Sequence, residues 1–190
     1  MTQNAREYKR AQFERIDIGF RVVIKIPGAS EYLGHEARLE ASVKANSVLP
    51  VRLTGSNISS QTIVFINLGR YGVVELRNAC DEWIEYERKA IGRTLDSPIE
   101  EGVREEIRIS GASEYLGCKA RFCVSVKNDS FLLIYLTGSN IDPKQTPIPD
   151  FIILDREGAV ALRNACNEWI DNERITTERT LNSLTKRLRN

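Results

Sequence analysis

The chain has 190 residues, enough for one domain or two small ones with a buried core. Hydrophobic residues make up 42% and charged residues 28%, which excludes a disordered chain, and no apolar run approaches the roughly 20 residues of a bilayer span. Lys and Arg number 27 against 26 Asp and Glu, so any surface that attracts a polyanion has to be local.

Residues 1–19 read as a basic and aromatic arm carrying Tyr8, Lys9, Arg10, Phe13 and Arg15. No apolar signal core follows the first residues, so an intracellular, non-secreted protein is expected. Residues 20–26 alternate, with Phe20, Val22, Ile24 and Ile26 on one face, as a half-buried strand does. Pro27 and Gly28 end that strand. The segment Gly-Ala-Ser-Glu-Tyr-Leu-Gly at 28–34 reads as a connecting loop. Residues 37–44 alternate again, apolar Ala37, Leu39, Ala41 and Val43 against Arg38, Glu40, Ser42 and Lys44. A turn at 45–47 leads to a third strand at 49–54, where Pro50 predicts an edge or bulged strand. Gly55, Ser56 and Asn57 turn the chain into a fourth strand at 62–66. A helix follows from Val73 to Ala90, with Val73, Leu76, Cys80, Trp83 and Glu87 at helical spacing and an acidic opposite face.

The whole pattern then recurs. Residues 28–34 are repeated letter for letter at 111–117, and Leu-Thr-Gly-Ser-Asn-Ile at 53–58 returns at 136–141. Leu-Arg-Asn-Ala-Cys at 76–80 returns at 162–166, so the offset grows from 83 to 86 across a loop holding Pro143, Pro147 and Pro149. The chain therefore reads as α+β: two tandem ββββα repeats, antiparallel sheets each backed by a helix, packed as one pseudo-symmetric unit. The boundaries are repeat 1 at 20–95, a linker at 96–102, repeat 2 at 103–181 and a basic tail at 182–190.

One helix covers one face of a four-stranded sheet, so the residues of the other face can be named. In copy one they are Arg21, Val23, Lys25, Arg38, Glu40, Ser42, Lys44, Arg52 and Thr54. In copy two they are Arg104, Glu106, Arg108, Arg121, Cys123, Ser125, Lys127, Tyr135 and Thr137. Basic residues outnumber acidic ones there five to one and four to one, against near balance in the chain. A cationic sheet face suits a phosphate backbone, and Tyr135 with the loop residues Tyr32 and Tyr115 offers rings for base stacking. Small polar residues at Thr54, Ser56, Asn57, Thr137, Ser139 and Asn140 suit hydrogen bonds to phosphate or sugar.

Chemistry of other kinds finds little footing. His35 is the lone histidine, and Cys118 replaces it in copy two. Cys118 and Cys123 have no second close pair for a zinc site, and Cys80 and Cys166 fall on apolar helix faces as buried thiols. No phosphate loop or dinucleotide glycine motif occurs. A non-catalytic protein without metal or cofactor is expected.

Duplicated ββββα order, a basic sheet face and helices with an aromatic, acidic C-terminal half (Glu82-Trp83-Ile84-Glu85-Tyr86) resemble the PUR-alpha, PC4 and Whirly group of single-stranded nucleic acid binding proteins. The resemblance spans about residues 20–181 and is one of pattern. It implies paired helices, intertwined repeats, nucleic acid on the sheet face away from the helices, a role in transcription or replication, and a homodimer. The residues expected to carry binding are Lys25, Arg38, Lys44, Arg52, Thr54, Arg108, Arg121, Lys127, Tyr135 and Thr137, with Tyr32 and Tyr115 stacking. The alternative is an adaptor or structural subunit whose sheet or acidic helix face binds a protein of the replication or transcription machinery.

Overall fold

The computed structural model describes residues 14–17, 22–30, 34, 37–43, 47–56, 65–91, 106–113, 116–126, 131–140 and 151–188. In chain order the elements are β1 (Glu14–Asp17), β2 (Val22–Pro27), β3 (Arg38–Ser42), β4 (Leu49–Thr54), β5 (Phe65–Leu68) and α1 (Arg70–Ile91), then β6 (Glu106–Ser110), β7 (Arg121–Ser125), β8 (Leu132–Thr137), β9 (Phe151–Leu154) and α2 (Arg156–Leu188). The fold is α+β, with one antiparallel sheet in the order β1-β2-β3-β4-β5 and a second in the order β6-β7-β8-β9.

Three elements depart from the reading of the sequence. First, β1 lies inside the stretch read as an arm and pairs with β2, Ile16 opposite Val23. Second, β4 is an interior strand between β3 and β5 rather than an edge. Pro50 is tolerated because the β3–β4 ladder reaches only to Ala41 opposite Val51, one residue short of it. In copy two Leu133 stands at this position and the ladder runs one pair further, to Ser125. Third, α2 runs on to Leu188 through the stretch read as a tail. Helix α1 is described over Arg70–Ile91; the next residue in sequence is Gly92, whereas the same repeat position in copy two, inside α2, is Glu178, a far better helix former.

Alternation puts one face of each strand from β2 to β9 into a single core, while β1 stays outside it. Ile24, Ile26, Leu39, Leu53, Ile66 and Leu68 from the first sheet join Ile109, Phe122, Ile134, Leu136, Ile152 and Leu154 from the second, with Trp83 and Trp169 from the helices. Trp83 and Trp169, read as core from helical spacing, are fully buried.

The copies are interlocked. Besides the strand that precedes it, each helix packs on the leading strand of the other copy, α1 on β6 and α2 on β2. Equivalent glycines permit this approach. A Cβ on Gly72 would lie 3.2 Å from Ile109, and one on Gly158 would lie 3.4 Å from Ile26. Helix α2 also bonds copy one directly, through Trp169 Nε1–H to the Val48 carbonyl and Asn172 Nδ2–H to the Val43 carbonyl, both 3.2 Å. Arg15 of β1 forks onto Glu168 of α2 at 2.6 and 2.8 Å, so β1 ties the first sheet to the second copy's helix.

Two reciprocal backbone bridges join the sheets. Ala29 and Ile153 exchange N–H···O bonds of 2.9 Å each, and Asn67 and Ala112 do the same at 2.9 and 3.0 Å. The preceding residues, Gly28 and Gly111, sit where a side chain would collide: a Cβ would come within 2.8 Å of the Ile153 carbonyl oxygen and 3.0 Å of that of Asn67. This accounts for the glycine opening both duplicated loops. The glycine closing them, Gly34 and Gly117, has φ of 84° and 81°, a left-handed conformation that side chains disfavour.

The helices pair antiparallel and are stapled at both ends. Arg70 at the start of α1 bonds Glu173 of α2, and Arg156 at the start of α2 bonds Glu87 of α1. These are the same two repeat positions used twice. Between them Arg163 lies 3.5 Å from Asp81. The mirror pair would be Arg77 with Asn167, where the acid is gone. Cys80 and Cys166 are fully buried free thiols, and burial pushes both up, Cys166 to about 12, so they remain neutral packing groups.

Candidate nucleic-acid interface

The strand register assigns the outer faces. Across the first sheet one row runs Glu14, Lys25, Glu40, Arg52, Phe65. The equivalent row of the second sheet runs Arg108, Cys123, Tyr135, Phe151. A neighbouring row holds Arg38 opposite Thr54 in the first sheet and Arg121 opposite Thr137 in the second. None of these side chains belongs to the cluster that packs on the helices, so the helices lie on the opposite faces, although Glu40 and Cys123 are themselves buried. Eight of the twelve expected residues thus share the outer faces: Lys25, Arg38, Arg52, Thr54, Arg108, Arg121, Tyr135 and Thr137. Lys44, Lys127, Tyr32 and Tyr115 lie outside the described residues, as do Arg21, Arg104, Asn57, Tyr8, Lys9, Arg10 and Phe13.

The face is less cationic than its inventory of Lys and Arg. Glu14, contributed by β1, takes Lys25 at 3.1 Å and Arg38 at 3.7 Å. Glu40, only 7% exposed, is bonded by the Arg52 guanidinium. A carboxylate so buried needs a cation held on it, because an unpaired charge there costs several kcal/mol, about 3–5 by analogy with broken buried pairs. In the first sheet, then, every described cation of the outer face already has an acid.

The second sheet solves the same positions differently. Cys123 stands where Glu40 does and Tyr135 where Arg52 does, while the acid has moved to Glu106, the counterpart of Val23. The Tyr135 hydroxyl and the Arg108 guanidinium both donate to the Glu106 carboxylate. The Tyr135 hydrogen bond, followed by Arg108, holds the Glu106 carboxyl below its usual range. Burial first, and the bond to Glu106 second, raise the Tyr135 phenol, which stays protonated. Arg121 makes no ion pair among the described residues. The second sheet therefore retains a cation and two adjacent rings, Tyr135 and Phe151, on one surface.

The hydroxyls expected to bind phosphate are engaged within the fold. Thr54 Oγ1–H points to the Arg38 carbonyl at 3.5 Å, and Thr137 Oγ1 lies 3.7 Å from Cys123 Sγ. The two duplicated motifs prove to be mates. In copy two the Asn140 N–H donates to the Leu116 carbonyl at 3.2 Å. A Cβ on Gly138 would fall 2.6 Å from Leu116 Cβ, and one on Gly117 would fall 2.6 Å from Asn140 Oδ1. Gly138 and Asn140 are thus matched to the 111–117 loop, and a structural reason accounts for their duplication.

Reading the sequence missed Glu14, Phe65 and Phe151. The repeat register, run backward, shows Ile16 and Gly19 returning as Ile99 and Gly102, which marks the end of the arm as part of the module. Phe65 and Phe151 are the same repeat position, and alternation against buried Ile66 and Ile152 turns both outward, where they remain partly exposed. No group of three or more His, Cys, Asp or Glu among the described residues is placed to hold a metal ion. No described helix is long and apolar enough to cross a membrane. The sequence matches no protein-family model and no curated protein.

Proposed function

We propose that this chain is a non-catalytic single-stranded nucleic acid binding protein that takes the strand across the outer faces of its sheets, chiefly the second. The observation that carries the reading is the surface formed by Arg121, Tyr135 and Phe151. A cation sits diagonally from two rings on neighbouring strands, on a face turned away from both helices. Strands lie about 4.8 Å apart, so these groups fall within reach of successive nucleotides. A ring accepts any base by its flat face, and a guanidinium neutralises phosphate without reading sequence. The helix pairing and the interlocked copies are features that the resemblance to PUR-alpha, PC4 and Whirly proteins implies, and they support this reading. With few unpaired cations, affinity is modest and little sequence specificity follows.

Fluorescence anisotropy with a labelled oligothymidine and with the matching duplex tests this. The single strand should bind more tightly, and its affinity should fall by about 1.5–2 log units per decade of salt, as two or three phosphate contacts require. No binding to either form at low salt would overturn the reading.

A further inference from the structure

Helix α2 meets α1 along one stripe. Arg163 lies against Asp81, Cys166 is buried beside α1, and Glu173 takes Arg70 at the very start of α1. Stepping on by three and four residues, the same stripe continues past the end of α1 as Thr177, Leu181, Leu184 and Leu188. There it meets none of the described residues. Every residue from 174 to 188 is exposed, with Leu181 at 58%, Leu184 at 49% and Leu188 at 87%. About four turns of helix, some 22 Å, thus stand clear of the body with three leucines in line.

We infer that this stripe is a self-association site, pairing antiparallel with the same stripe of a second copy. The occupant follows from continuity with the seam already inside the molecule. That seam accepts a repeat of the same helix, α1, in antiparallel fashion. A twofold axis midway between Leu181 and Leu184 sets Leu181 against Leu184 of the second copy and Leu188 against Thr177. The lengths agree: each helix tip then reaches the other copy's body at about residue 177 without running into it. The flanks are compatible as well. Glu178 shares its side of the seam with Thr185, and Arg187 shares the other with Thr180, so no like charges face each other directly. A three-turn helix pair buries less than the 1,200–2,000 Å² or so of a stable interface, so the dimer is weak, with a Kd of about 10–100 μM. The inference does not rest on nucleic acid binding.

Sedimentation velocity of the full chain from about 5 to 500 μM is the test. Wild type should shift from monomer to dimer across this range. Leu184→Glu should weaken association by about 100-fold, because both copies of the side chain leave the seam at once. Leu184→Gln, which adds no charge, should weaken it in the same direction. Leu184 is half exposed, so the thermal midpoint of the dilute monomer should not move. A chain that stays monomeric throughout, or a dimer that both variants leave intact, would overturn the inference.

Discussion

The outer faces of the two sheets are repeats of one surface, and three neighbouring positions differ in polarity or charge between them. Copy one has Val23, Glu40 and Arg52, and copy two has Glu106, Cys123 and Tyr135. In copy one the acid sits mid-sheet, buried and clamped by its arginine, and β1 brings a further carboxylate to neutralise Lys25 and Arg38. In copy two the acid has moved to the leading strand, where the Tyr135 phenol and the Arg108 guanidinium both donate to it. The positions are coupled: losing Arg52 alone would leave the buried Glu40 carboxylate without its cation. By contrast the inner faces stay apolar, changing in size but not in polarity at Leu39/Phe122, Ala41/Val124 and Val51/Ile134, and the reciprocal bridges between the sheets are the same in both copies. The copy without the mid-sheet ion pair is the one in which Arg121 makes no ion pair among the described residues and Tyr135 stands beside Phe151.

The largest effects are expected where the copies agree. Gly28→Ala and Gly111→Ala should each cost about 3 kcal/mol in urea unfolding, by forcing a methyl onto the carbonyl oxygen of the bridging strand. Equal losses would support the interlocked arrangement, and a loss at only one site would break it. Next comes the copy-one ion pair. Arg52→Met alone should destabilise by about 3 kcal/mol by stranding Glu40, whereas Glu40→Leu with Arg52→Met should cost less than about 1 kcal/mol. A double variant as damaged as the single one would show that the pair is not what fixes these two residues.

In copy two, Tyr135→Phe should cost about 1 kcal/mol. Glu106→Gln adds a pH signature. The folded carboxyl titrates below its ordinary value of 4.5, so its contribution is complete above that value and fades as pH falls through the lower, folded one. The stability gap between wild type and Glu106→Gln should be constant near neutral pH and close below about 4.5. A gap that persists at pH 2 would assign the effect to packing. Smallest are the helix staples: Arg70→Ala and Arg156→Ala should each shift stability by about 0.5 kcal/mol, equally and less in high salt, as partly exposed pairs do.

Much of this architecture was legible in the residues. Alternation located β4 to the residue, and helical spacing put Trp83 and Trp169 in the core. Periodicity reports which face of an element is buried but not against what. Hence the crossing of α1 onto β6 and α2 onto β2 was hidden, although Gly72 and Gly158 recur at the crossing points. The charge of the outer face was overread for a related reason. Counting Lys and Arg along single strands omits acids brought alongside by pairing, and Glu14 became a neighbour of Lys25 only when β1 added itself to the sheet. Phe65 and Phe151 escape the reading because outward faces are assigned only to the first three strands of each copy, although alternation against Ile66 and Ile152 turns both outward.

The proposed function puts most of the nucleic acid affinity on the second sheet. Titrating labelled oligothymidine against Arg121→Ala/Phe151→Ala and against the matched Arg38→Ala/Phe65→Ala, both checked for unchanged far-ultraviolet circular dichroism, tests it most directly. The copy-two variant should lose about 10-fold or more and the copy-one variant less than about 3-fold. Equal losses, or a greater loss in copy one, would contradict it.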